Sequence, residues 1–100
     1  MTLKEARRKS NDIKRHNARA EAGLHIHIAG PNHSEDLYFW QDDYDEMIEL
    51  AQRWVGGCPD LPRIHWKPTY TVAIYWWHDE MGFWDYDRTM EGQRLPGGRR

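Results

Sequence analysis

Leu24-His25-Ile26-His27-Ile28 alternates aliphatic and imidazole side chains without a break. Successive strand residues point to opposite faces. The run therefore predicts a half-buried strand with three aliphatic groups inward and two histidines outward. Around it, Gly30-Pro31-Asn32-His33-Ser34 reads as a loop, and Leu37 to Trp40 as a short strand returning in a hairpin. Thr69 to Trp77 is rich in β-branched and aromatic residues and predicts a further strand. His78 to Gly82 predicts a turn, and Phe83 to Met90 an antiparallel return.

Two helices flank these strands. Residues 2–22 are expected to form one, opened by the capping box Thr2-x-x-Glu5 and stopped by Gly23. Its apolar face is thin, because only Leu3 and Ile13 add more than alanine to it, so light docking is expected. The second begins at Asp42. Asp42, Asp43, Asp45 and Glu46 crowd its first turn, where carboxylates offset the positive end of the helix dipole. Tyr44, Met47, Ile48, Ala51, Trp54 and Val55 follow at helical spacing, and Gly56-Gly57 ends the run. The stretch with Pro59, Pro62 and Pro68 reads as irregular, with Ile64 to Trp66 as an edge strand. Residues 91–100 read as a flexible tail.

The element order is therefore α-β-β-α-(β)-β-β. It predicts an α+β fold in which an antiparallel sheet of four or five strands carries the central helix on one face. The chain of 100 residues has the length of a single domain. If Leu24, Ile26 and Ile28 face the central helix, so do Leu37, Phe39, Val72, Ile74 and Trp76. The opposite face then collects His25, His27, Tyr38, Trp40, Thr71, Ala73, Tyr75 and Trp77. An aromatic and histidine-rich face of this size is expected to be covered by the N-terminal helix, by a second copy in a homodimer or by a partner protein, or to serve as a stacking platform for a small molecule or nucleic acid.

Net charge is only −2, but its distribution is uneven. Residues 1–20 hold Lys4, Arg7, Arg8, Lys9, Lys14, Arg15 and Arg19 against Glu5 and Asp12. That is a net of +5, which leaves −7 for the other 80 residues. A basic arm on an acidic body points toward a charged partner or self-association. One cysteine, Cys58, permits no internal disulfide. No apolar stretch reaches the length of a membrane span, and the charged first residues do not read as a secretory leader. A cytoplasmic protein with no membrane contact is the expectation.

Chemical motifs are sparse. His25-x-His27 places two imidazoles on one strand face, and His33, His65, His78 or nearby carboxylates could complete a zinc site, but no cysteine pair helps and two such histidines commonly stand without metal, so no metal and no cofactor is expected. Gly56-Gly57 closes a helix and does not cradle a phosphate. Cys58 lies before a proline without an activating neighbour, and no serine sits in a nucleophile-elbow pattern, so no catalytic residue is assigned. Arg7, Arg8, Lys9, Lys14, Arg15 and Arg19 have the composition of arginine-rich helices that contact RNA or DNA phosphates. The acidic set Asp42, Asp43, Asp45, Glu46, Asp79, Glu80, Asp85 and Asp87 could instead compete for a basic groove, as small phage and mobile-element inhibitors of nucleic-acid-handling complexes do as a class. The leading expectation is a non-catalytic protein-interaction module. It would bind through His25, His27, Tyr38, Trp40, Tyr75 and Trp77 and the acidic rim. A nucleic-acid-binding module and a small metal- or ligand-binding protein are the alternatives.

Overall fold

A computed structural model describes residues 1–30, 33–56 and 70–91. Helices α1 (Leu3–Arg15) and α2 (Arg19–Ala22) lead into strands β1 (Gly23–Ala29) and β2 (Ser34–Trp40). A 3-10 turn at Gln41–Asp43 opens helix α3 (Tyr44–Val55), and strands β3 (Thr71–His78) and β4 (Phe83–Glu91) follow. The four strands form one antiparallel sheet in the order β2-β1-β3-β4. The fold is thus α+β, with α3 packed on one sheet face. The expected edge strand at Ile64–Trp66, the proline-bearing stretch and residues 92–100 lie outside the described residues. Glu91, expected in the tail, pairs with Thr71 as the last residue of β4.

The inward set follows the alternation. Leu24, Ile26, Ile28, Leu37, Phe39, Val72 and Ile74 are buried beneath Met47, Leu50, Ala51 and Trp54 of α3. Trp76 is half-buried and stacks on Tyr44, with ring centroids 5.5 Å apart. The helix expected from Asp42 begins at Tyr44, and the Asp43 side chain at its N-cap position makes no capping hydrogen bond. The 3-10 turn before the helix brings the chain in without one.

The N-terminal segment differs from the single helix expected over residues 2–22. The capping box at Thr2 and Glu5 is present, and Gly23 ends α2 in the left-handed conformation at φ 86°. Between them Asn17 also turns left-handed, at φ 54°. The Ala18 N–H donates to Ile13 O at 2.9 Å and the Asn17 N–H to Lys14 O at 3.1 Å. This is a Schellman termination with asparagine in the glycine role, which its short polar side chain tolerates.

The break directs α1 along the outer edge of β2. Leu3 and Ala6 join the core on the α3 side, while Ile13, Ala18 and Ala22 form a small cluster with Tyr38 on the other. Helix α1 therefore straddles the edge instead of lying over the aromatic face. At the crossing point Ser10 is fully buried, and its Oγ accepts the outward N–H of Tyr38 at 2.9 Å. Lys14 Nζ donates to Asp36 O at 3.1 Å. An open strand edge is a template for unwanted pairing, and here a helix covers it. Ser10→Ala leaves a covered N–H without its acceptor. It should lower the unfolding free energy by about 1–2 kcal/mol and speed exchange of the Tyr38 amide. An unchanged urea midpoint would show that this edge needs no such bond.

Candidate binding face

Strand alternation and register build the face away from α3. Tyr38 on β2, His25 on β1, Tyr75 on β3 and Tyr86 on β4 stand opposite one another, one from each strand. The His25 ring stacks between Tyr38 (centroids 4.5 Å apart, 13° between planes) and Tyr75 (5.3 Å, 24°). Tyr86 meets Tyr75 edge-on at 5.7 Å. Trp84 lies across this row, 5.4 Å from His25, 5.7 Å from Tyr38 and 5.3 Å from Trp77. The rings of the central stack turn their faces to one another and leave edges and polar atoms outward. Trp40, opposite Gly23, shares the parity and is 41 % exposed, but no ring contact ties it to the cluster among the described residues.

Trp84 and Tyr86 belong to the face through an irregularity. The register of β4 slips between Ile74 and Tyr75, where Asp87 has no opposite residue. A bulge of this kind resets which face a strand presents. It lets Met90 pack against the core while Trp84 and Tyr86 stand on the other side. Trp84 stands opposite Trp77, and neither it nor Tyr86 was assigned to this face from the sequence. The bulge itself has no sequence signature.

Next to the stack, Asp36 Oδ1 accepts from His25 Nε2 and from His27 Nδ1, both at 2.8 Å. An ionised carboxylate only accepts, so both nitrogens carry hydrogen. Burial holds the His25 imidazole below its ordinary value, against the pull of Asp36. Burial favours the neutral form of Asp36, yet hydrogen bonds from His27 and His25 outweigh it and keep the carboxyl below its usual range. The aspartate thus fills the space between the imidazoles. Among the described residues no group of three or more histidines, cysteines or carboxylates is arranged to hold a metal ion.

Part of the charge asymmetry closes within the chain. Arg7 grips Glu35 with Nε to Oε2 at 2.7 Å and Nη2 to Oε1 at 2.8 Å, and His33 Nε2 shares Oε1 at 2.8 Å. The Arg7 hydrogen bond holds the Glu35 carboxyl below its usual range. Lys9 pairs with Asp43 at 3.5 Å, Arg15 with Asp12, and the N-terminal ammonium with Glu46 at 3.3 Å. Lys14 and Arg19 reach the face itself, 5.8 and 5.4 Å from the Tyr38 ring centroid. Arg8 remains exposed on the outer side of α1.

The expected acidic set is divided. Asp42, Asp43, Asp45 and Glu46 surround the start of α3. Asp79 and Glu80 lie in the β3–β4 turn, where Asp79 Oδ1 accepts the Trp77 indole N–H at 3.0 Å. Asp85 stands opposite Trp76, toward α3, and Asp87 pairs with Arg88 at 2.6 Å.

No family model, curated protein or solved structure matches this chain. Among the described residues no helix is long and apolar enough to cross a membrane.

Proposed function

We propose that the chain is a non-catalytic binding module that engages a protein partner through the face centred on His25, Tyr38, Tyr75, Trp77 and Trp84. The observation that carries this reading is the stacked row with Trp84 laid across it. It is a preordered aromatic surface with outward edges and hydroxyls, of the composition enriched in protein interfaces. Platforms that read nucleobases need open ring faces and a basic surround. Here His25 is flanked on both ring faces, and Asp36 sits beside it. The basic helix offers less to phosphate than its composition suggests, since Arg7, Lys9 and Arg15 already pair with carboxylates. The finer form, a cytoplasmic inhibitor or regulator of a larger complex of the kind phages and mobile elements use, rests on small size and the acidic hairpin.

Capture from the source cells tests the reading with three tagged chains. These are the wild type, Tyr75→Ala/Trp84→Ala, and Lys4→Ala/Arg8→Ala. A protein retained in stoichiometric amount by the first and third should fall at least tenfold with the second, while circular dichroism shows the second still folded. Retention by the aromatic variant, or loss of capture on nuclease treatment, would overturn it.

A further inference from the structure

The two ends of the aromatic face differ in how they are supplied with charge. At the β2 end, cations of the chain itself sit on the face, Arg19 and Lys14 both lying over the Tyr38 ring. At the β4 end the same kind of ring stands open. Tyr86 is 56 % exposed, and Trp84 and Trp77 are half-exposed beside it. This end is framed by carboxylates. Asp79 and Glu80 lie exposed in its turn, Asp85 is exposed on the α3 side of the strand, and no lysine or arginine occurs from Trp77 through Asp87. The next residue, Arg88, bonds Asp87 and the Tyr44 hydroxyl, which draws it toward α3 and away from the aromatic side.

A ring face next to a carboxylate suits a guanidinium or ammonium group. The ring quadrupole attracts the cation, and the carboxylate accepts its N–H groups. Asp79 is already held at Trp77 by the indole hydrogen bond, and a carboxylate has room for further donors. Arginine fits better than lysine, since its planar head stacks and bonds at once. The turn carboxylates Asp79 and Glu80 repel a phosphate backbone, and a purely apolar partner would desolvate them without a cation.

We propose that the β3–β4 hairpin, from Trp77 to Tyr86, docks a cationic, arginine-bearing segment of a protein partner, with Tyr86 and Trp84 as the rings and Asp79 as the principal acceptor. This rests on the reading of the aromatic face as a partner surface and adds the chemistry of the partner.

The probe is a nona-arginine peptide titrated into the whole chain and followed by NMR, with nona-glutamate and nona-uridylate as counter-probes. Nona-arginine should shift the indole N–H signals of Trp77 and Trp84 and the amides of residues 78–87, and leave the Trp54 indole in place. Tyr86→Ala and Asp79→Asn/Glu80→Gln should each weaken binding at least fivefold. The charge-matched Glu21→Gln/Glu49→Gln should stay within twofold. The Trp54 indole signal reports that each variant is folded.

An equal loss with Glu21→Gln/Glu49→Gln would reduce the effect to a general acidic field and overturn the site. So would full affinity in Tyr86→Ala, or uridylate binding at the hairpin. Light scattering that shows self-association abolished both by Asp79→Asn/Glu80→Gln and by Arg8→Ala would make α1 of a second copy the occupant, and likewise overturns a foreign partner. If nona-arginine fails while Tyr75→Ala/Trp84→Ala still abolishes partner capture, only the cationic chemistry falls. If capture survives in that variant, the aromatic-face reading falls as well.

Discussion

Trp54→Ala should remove about 3–5 kcal/mol of folding free energy, and Trp54→Phe less than half of that. Trp54 is 1 % exposed and is the largest fully buried side chain on α3. Its ring stacks flat on His33 at 5.6 Å and meets Tyr70 edge-on at 5.0 Å, so it ties α3 to the start of β2 and to the approach to β3. Alanine leaves a cavity that rigid strands on one side cannot collapse to fill. Phenylalanine keeps much of the volume. It also removes an indole N–H that has no hydrogen-bond partner among the described residues, so no bond is lost in exchange. A domain of this size holds roughly 5–15 kcal/mol in total, and the alanine variant would forfeit a large share. Urea unfolding of the two variants checks this. A loss below about 1 kcal/mol for Trp54→Ala would mean that α3 does not depend on this side chain for its docking.

What could be read in advance follows from how local each signal is. Strand β1 was legible because its period of two is written directly in Leu24-His25-Ile26-His27-Ile28, and with it the division of the sheet into two faces. Strand β2 was read only from Leu37. Its first residues, Ser34, Glu35 and Asp36, have poor strand propensity and are held extended by pairing with β1, opposite Ala29, Ile28 and His27. Starting the strand at Leu37 also left Asp36 unassigned, although it joins the two histidines. The N-terminal helix was legible as helix but not as two. Asparagine adopts the left-handed conformation less readily than glycine, so Asn17 gives a weaker stop than Gly23. Charge segregation was visible in composition alone. Its main use, pairing Arg7 with Glu35 and Lys9 with Asp43, spans 28 and 34 residues and could not be read locally.

Acidification from pH 7 to pH 5 should destabilise the protein, and His25→Phe should abolish most of that loss. His25 lies between Tyr38 and Tyr75, beneath Trp84, with Asp36 and His27 beside it and Lys14 close by. Burial holds its folded value below 6.5, while the unfolded chain takes up the proton near the ordinary value. Below about pH 6.5 the unfolded state therefore binds more protons than the folded one, and stability rises with pH through this window. The histidine contribution is fully present above the unfolded value and is lost as pH falls from there through the lower folded value. Asp36 and Glu35 act further down. Both carboxyls are held below their ordinary values of 3.8 and 4.5, so their contributions persist at pH 5 and disappear as pH falls below about 4. The wild type should thus weaken in two stages. Phenylalanine preserves the stack between the two tyrosines but binds no proton, so His25→Phe should lose the upper stage and keep the lower. Urea midpoints at pH 8, 7, 6, 5 and 3.5 for both chains make the comparison. An equal fall between pH 7 and pH 5 in the phenylalanine variant would place the titrating group elsewhere on the sheet.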